Sequence, residues 1–110
     1  MDLAVLVYRL TDALPGDERF GLAAQMKRAA ASVPSNVAEG AGRETVREKR
    51  RFLIEARGSI TELETQLELC KRLGFLTTCE LERISPQVLR ARQLLAGTIR
   101  SLTARMTRSP

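Results

Sequence analysis

The sequence predicts an all-α protein that folds as an antiparallel, up-and-down four-helix bundle. Four segments repeat apolar residues at steps of three and four, the spacing of one helical face. No segment shows the apolar–polar alternation of period two that is typical of a strand. The connections are short, so consecutive helices are expected to pack antiparallel. A length of 110 residues suits one domain, residues 1–110.

The first two predicted helices are separated by a Pro-Gly break at residues 15–16. Asp17 can cap the second helix, and Pro34 is expected to kink it because proline removes a backbone donor. Gly40 and Gly42 are expected to end it. The apolar residues of the first helix are Leu3, Val7, Leu10 and Leu14. Those of the second are Leu22, Met26, Ala29, Val33 and Val37.

The third and fourth predicted helices each open with the T-x-x-E spacing of a capping box, at residues 45–48 and 77–80. Gly74 suits the C-cap of the third helix, and Pro86 is expected to bend the fourth or split off its first turn. The third stripe consists of Leu53, Ala56, Ile60, Leu63, Leu67 and Cys70. The fourth consists of Leu81, Ile84, Val88, Ala91, Leu95, Thr98, Leu102 and Met106.

Further apolar residues remain outside these four stripes. A surplus of exposed apolar side chains on short helices indicates a surface for self-association, so a homo-oligomer is expected. The residues in this surplus are Val5, Tyr8, Ile54, Leu69, Leu76, Leu89 and Leu94.

The net charge of +5 is concentrated in the C-terminal quarter of the chain. Residues 1–82 hold 12 Lys/Arg and 13 Asp/Glu, whereas residues 83–110 hold six arginines and no acid. A one-sided positive field favours polyanions such as RNA, DNA or an acidic protein surface. No stretch approaches the roughly 20 apolar residues of a membrane span, and no signal peptide is evident. A cytoplasmic protein is expected.

The sequence offers little material for catalysis, so we expect no enzymatic activity, no metal and no cofactor. It contains no histidine, the commonest general base and a usual metal ligand. Cys70 and Cys79 lack CxxC spacing and are expected to be reduced, with a disulfide as the alternative. A magnesium-binding carboxylate cluster is an alternative to a solvated helix surface at Glu62, Glu64 and Glu68.

The candidate nucleic-acid-binding residues form two cationic groups. Both suit phosphate contacts, although an ordinary solvated surface would show the same pattern. The aromatic residues are too few for a base-stacking platform. On the fourth helix the residues are Arg83, Arg90, Arg105 and Arg108, and on the third they are Arg47, Lys49, Arg50 and Arg51.

A polar seam is predicted beside the core stripes, where the second and third helices meet. It is interpreted either as a buried network that fixes helix register or as a ligand-binding site. Arg28 and Glu62 are the expected ion pair across it. Its residues are Gln25, Arg28, Ser32, Asn36, Glu39 and Arg43 on the second helix, and Glu55, Ser59, Glu62 and Gln66 on the third.

Two segments resemble the signature of the four helix bundle protein family, whose members are also described as 23S rRNA intervening sequence proteins or S23 ribosomal proteins. They are FGLAAQMKRAAASVPSNVAEGAGR, residues 20–43, and FLIEARGSITELETQL, residues 52–67. The motif residues here are Gln25, Arg28, Ser32, Pro34, Asn36, Glu39, Gly40, Arg43, Gly58, Ser59 and Glu62. The resemblance implies a bundle that assembles into a ring, typically a homopentamer, and no established catalytic role. It also relates the chain to accessory proteins of diversity-generating retroelements, which bind nucleic acid and a reverse transcriptase.

The function expected from the sequence is backbone-directed nucleic-acid binding, with RNA favoured over DNA. The alternative is an oligomeric adaptor whose basic surface docks an acidic protein partner, such as a reverse transcriptase. A third, enzymatic hypothesis depends only on the carboxylates of the third helix.

Overall fold

Four helices pack side by side in the computed structural model of the protein. The structure describes residues 2–18 and 21–108, except for the side chains of residues 18 and 108. Each helix contacts the next along the chain, and the first also contacts the fourth, so the four close around one core. The described residues contain no strand. The predicted all-α four-helix bundle is therefore confirmed. The helices are α1 (Asp2–Thr11), α2 (Leu22–Ala41), α3 (Val46–Leu73) and α4 (Thr78–Arg108).

The predicted caps of α3 and α4 are present. The Thr45 hydroxyl accepts a hydrogen bond from the Glu48 backbone N–H at 3.1 Å. At α4 the capping box is reciprocal, since Thr77 Oγ1 accepts from the Glu80 N–H at 3.1 Å while Glu80 Oε1 accepts from the Thr77 N–H at 2.8 Å. Gly74 ends α3 in the left-handed region, with φ of 71°. These caps set the two short connections that make neighbouring helices antiparallel.

The start of α2 differs from the prediction, whereas its end at Ala41, just before Gly42, agrees with it. Asp17 does not cap α2, because it lies in a separate 3₁₀ turn over Gly16–Glu18, and α2 begins after Gly21 without a side-chain cap. Gly40 does not break the helix but lies buried within it. A Cβ at Gly40 would come within 3.1 Å of the Phe52 Cβ, so glycine there allows α3 to approach closely.

Neither helix-interior proline ends its helix. Pro34 lies inside α2 and Pro86 inside α4, and both helices are assigned continuously through them. The expectation that Pro86 could split off the first turn of α4 is therefore wrong. One missing backbone donor is tolerated here because packing of the apolar face against the other helices supplies most of a helix's stability.

The core contains most of the predicted stripe residues, with three corrections. Val37 is 40% exposed, because the ten-residue α1 is too short to cover the C-terminal half of α2. Thr98 is exposed, and its predicted place is taken by Ile99, three and four residues from Leu102 and Leu95. Leu76, assigned to the surplus on the surface, lies in the α3–α4 connection and is buried in the core cluster.

Candidate functional site

The structure joins parts of the two predicted cationic groups at one end of the bundle. Arg50 Nε, in the second turn of α3, donates to Thr103 Oγ1, near the end of α4, at 2.7 Å. The C-terminal end of α2 lies at the same place, since Lys49 Nζ donates to the Ala41 carbonyl at 3.3 Å. Three helix ends therefore meet there, and we call the cluster of cations they carry the basic end. Its described side chains are Arg43, Arg47, Lys49, Arg50, Arg51, Arg100 and Arg105.

Positive charge exceeds negative charge at the basic end. Seven described cations face four carboxylates, which belong to Glu39, Glu44, Glu48 and Glu55. Like charges gathered at one end produce a stronger local field than the same charges spread along a helix. The cations near the start of α3 oppose its dipole, at a typical cost of a few tenths of a kcal/mol each. The arrangement therefore creates a positive surface suited to a polyanion.

The four predicted α3 cations divide into two kinds. Lys49 and Arg50 are half-buried and bonded within the chain, so they hold the three helix ends together. Arg47 and Arg51 are exposed, and their charged groups face solvent at the first two turns of α3. Arg47 and Arg51 are therefore better placed to contact an external anion.

An arrangement that the sequence analysis missed lies around Phe52. The guanidinium carbons of Arg43 and Arg51 each lie 4.8 Å from the centroid of its ring. Both are within cation–π distance, so the half-buried ring restricts where they can move. Sharing one ring keeps the two carbons within about 10 Å of each other. Arg43 also pairs with Glu39 at 3.1 Å.

The predicted arginine stripe of α4 is not a single cluster. Arg83 and Arg105 are 22 residues apart, which a helix spreads over about 33 Å. Arg83 lies beside Asp2 and Arg9 of α1, away from the basic end, and Arg90 lies between the two regions. The side chain of Arg108 lies outside the described residues. Of the predicted stripe, Arg105 lies two residues beyond Thr103 on α4, the residue that Arg50 of the basic end contacts.

The polar seam joins α2 and α3 through a small hydrogen-bonded group. Ser59 Oγ donates to Ser32 Oγ at 2.8 Å, and Asn36 Nδ2 donates to the Ser32 hydroxyl and carbonyl oxygens, both at 2.9 Å. These side chains are half-buried. The seam thus links the helices where their core stripes end, as a network that fixes register would.

The predicted ion pair between Arg28 and Glu62 does not form. Both residues are exposed, and neither has an ion-pair partner among the described side chains. The reason is that the seam lies on the outer side of α2 and α3, where long side chains extend into water. Gln66, another seam residue, is only 7% exposed, and its Oε1 has no hydrogen-bond partner in the described chain.

Replacing Glu62 with alanine is expected to change the free energy of unfolding by less than about 0.5 kcal/mol, because the removed carboxylate is solvated. Ser59→Ala, which removes the bond to Ser32, should cost about 1 kcal/mol. Urea denaturation of both variants checks the difference. A loss of several kcal/mol for Glu62→Ala would show that its carboxylate has a buried partner after all.

Two of the three candidate carboxylates of α3 are paired with arginines rather than gathered around a shared site. Glu64 pairs with Arg92 at 3.2 Å, and Glu68 pairs with Arg72 at 3.1 Å. The described residues hold no group of three or more His, Cys, Asp or Glu side chains placed to bind a metal ion. Glu64 and Glu68 also border a groove of about 750 Å³ between α3 and α4, together with Glu82. Because these three carboxylates would repel an anion, the groove is unsuited to binding phosphate.

The structure also bears on the state of the two cysteines and on membrane-spanning helices. Cys70 is buried with its Sγ 3.7 Å from Met26 Sδ, whereas Cys79 is exposed, and the two form no disulfide. The alternative of a disulfide is therefore wrong. None of the helices within residues 2–18 and 21–108 has the length and apolar character needed to cross a membrane.

Comparison with known proteins supports the resemblance seen in the sequence. A search of curated proteins finds no match to this chain. The sequence profile of one family, described as 23S rRNA-intervening sequence protein, matches residues 1–97. The matched region contains the whole of α1, α2 and α3, the seam between α2 and α3, and the first two-thirds of α4. The family profile matches most of the chain, and the matched residues fold as a four-helix bundle. The protein therefore belongs to the 23S rRNA-intervening sequence protein family.

Proposed function

We propose that this protein is a non-enzymatic nucleic-acid-binding protein that contacts the phosphate backbone of RNA through the basic end. The observation that carries the proposal is the meeting of three helix ends, which gathers seven described cations against four carboxylates. The family is described as 23S rRNA-intervening sequence protein, and this description favours RNA over DNA as the ligand.

The residues have different roles in the proposed contact. Arg47 and Arg51 point to solvent and would bind phosphate oxygens directly. Arg43, held over Phe52 with Arg51, would contact a phosphate further along the same strand. Lys49 and Arg50 would mainly fix the positions of the helix ends. Arg105 and Arg108 would extend the surface along α4, and Arg83 and Arg90 would contact only a longer nucleic acid.

Binding of this kind depends little on base sequence. Phosphate contacts position a protein but carry no sequence information, and sequence is read from base edges or by stacking. The aromatic ring at the basic end, Phe52, already interacts with two guanidinium groups, so it is not open for stacking on a base. The proposed protein therefore recognises charge and backbone rather than a specific sequence.

Self-association would increase the affinity, and we propose a homo-oligomer, ring-shaped and pentameric as the resemblance implies. Several large apolar side chains are more than 40% exposed, which supports association of the helices' outer surfaces. An assembly would bring several basic ends onto one nucleic acid, and linked sites bind more tightly than one site alone.

The direct test is a salt titration of binding to fluorescent single-stranded RNA and DNA oligomers, measured by anisotropy. The affinity is expected to fall with a log–log slope of about −0.7 for each phosphate contacted, and to vary little among sequences of equal length. Absence of binding to both nucleic acids at low salt would contradict the proposal. The adaptor hypothesis, with an acidic protein partner on the same basic surface, would then replace it.

A further inference from the structure

Phe52 lies where the end of α2 meets the start of α3, and close packing of the two helices fixes its position. A Cβ at Gly40 of α2 would come within 3.1 Å of the Phe52 Cβ and within 3.3 Å of the Lys49 carbonyl oxygen. The absence of a side chain at Gly40 therefore lets α3 pack directly against α2. The hydrogen bond from Lys49 Nζ to the Ala41 carbonyl oxygen, 3.3 Å long, holds the same contact. The ring of Phe52 thus projects from a backbone that has little room to move.

The ring of Phe52 brings together one arginine from each side of this contact. Arg43 directly follows the C-cap of α2, and Arg51 lies in the second turn of α3. Their guanidinium carbons each lie 4.8 Å from the ring centroid. Two cations this close repel each other, but the negative faces of an aromatic ring attract both. Phe52 therefore keeps two positive charges together that would otherwise move apart.

The ring holds these arginines without using the groups that bind phosphate. A carboxylate occupies the N–H donors of a guanidinium, as Glu39 does for Arg43 at 3.1 Å. An aromatic ring attracts the charge of the cation and leaves the N–H donors in the guanidinium plane available. Both members of the Glu39–Arg43 pair are exposed, so the pair is weak. Arg43 can therefore exchange Glu39 for a phosphate while it stays beside the ring.

Restricting both side chains before the ligand arrives favours binding. An arginine that is free in solvent loses rotamer freedom when it is fixed on a phosphate, and this loss weakens the affinity. Arg43 and Arg51 have already lost part of that freedom to Phe52. Less entropy is then lost in the binding step itself.

We infer that Phe52 is a positioning residue of the proposed RNA site, whose ring aligns Arg43 and Arg51 for phosphate contact. The inference rests on the proposed function, because it names the side chain that organises the cations of that site. The ring contacts the two arginines rather than the nucleic acid. Its loss therefore changes the affinity but not the number of phosphates contacted.

The experiment compares RNA affinity and its salt dependence, by anisotropy, for three single variants and the unmodified protein. Phe52→Leu keeps an apolar side chain but removes the ring, whereas Phe52→Tyr keeps the ring. Phe75→Leu is the matched control, because Phe75 is also half-buried and lies in the α3–α4 connection at the other end of the bundle. Circular dichroism establishes that each variant is folded.

Phe52→Leu is expected to weaken binding about fivefold with an unchanged log–log slope, because both guanidinium groups remain. Phe52→Tyr should restore the affinity to within about twofold, and Phe75→Leu should leave it there. Removing the cations themselves, in Arg43→Gln/Arg51→Gln, should instead make the slope shallower by about 1.4, at about 0.7 for each contact. Adding Phe52→Leu to that double variant should weaken binding no further, since the ring then has no arginine to position.

A measurement without RNA tests the positioning directly. NMR relaxation of the arginine Nε–H groups should show that Arg43 and Arg51 become more mobile in Phe52→Leu, while Arg92, which pairs with Glu64, does not. Unchanged mobility of Arg43 and Arg51, retained affinity in Phe52→Leu, or equal weakening by Phe75→Leu would overturn the inference and leave the proposed function standing. Failure of the unmodified protein to bind RNA would overturn both.

Discussion

Replacing Arg47, Arg51 and Arg105 together with glutamine is expected to weaken binding to single-stranded RNA by roughly 100-fold at low salt. Each substitution removes a phosphate contact worth about 1 kcal/mol, and every 1.4 kcal/mol is a factor of ten in affinity. The log–log slope of affinity against salt should become shallower by about 2, since each contact contributes about 0.7. Anisotropy titrations at several salt concentrations measure both quantities.

A matched control removes the same amount of charge elsewhere on the molecule. Arg9, Arg83 and Arg90 are exposed arginines outside the basic end, and replacing them with glutamine lowers the net charge equally. We expect this variant to bind a short RNA within about threefold of the unmodified protein at about 0.1–0.15 M salt, because long-range attraction is then screened beyond roughly 8–10 Å. Equal weakening by both variants would show that the whole of α4, rather than the basic end, contacts the nucleic acid.

Replacing Ile60 with alanine is expected to lower the free energy of unfolding by 2–5 kcal/mol. Ile60 is fully buried in the middle of α3, so the truncation leaves a cavity that the surrounding helices can fill only in part. This is a large fraction of the roughly 5–15 kcal/mol by which a domain of this size is stable. Urea denaturation followed by circular dichroism measures the change.

Ile54 offers a comparison on the same helix with the same residue type. It is half-buried at the edge of the core, so Ile54→Ala removes fewer contacts and should cost about 1 kcal/mol. The two variants have the same helix propensity and the same change of side chain, so their difference reports burial alone. If both cost the same, the packing around Ile60 would be looser than the structure shows.

The order of the helices could be predicted from local pattern because each element carries its own signals. The capping boxes at Thr45 and Thr77 and the C-cap at Gly74 act within a few residues of the chain, so they are readable without tertiary contacts. The six-residue stripe of α3 is buried throughout, because one long helix in a bundle faces the core along its whole length.

The burial and pairing predicted from the sequence were wrong where they depend on the position of a neighbouring segment of the chain. Val37 follows the periodicity of a core residue but is exposed, since α1 does not extend along α2 to cover it. Leu76 lies outside every stripe but is buried, because the α3–α4 connection to which it belongs packs it against the core. The Arg28–Glu62 pair satisfied the spacing on both helices and failed because spacing does not tell the outer side of a seam from the inner one.

The sequence by itself determined the helical class, the number of helices, the caps of α3 and α4 and the excess of positive charge, since all of these follow from local spacing and composition. Only the tertiary structure decided which cations act together. Arg50 and Thr103 are 53 residues apart in the chain, and their contact brings the start of α3 to the end of α4. The distance between residues far apart in sequence is set by helix packing, so the basic end could be found only once the helices were in place.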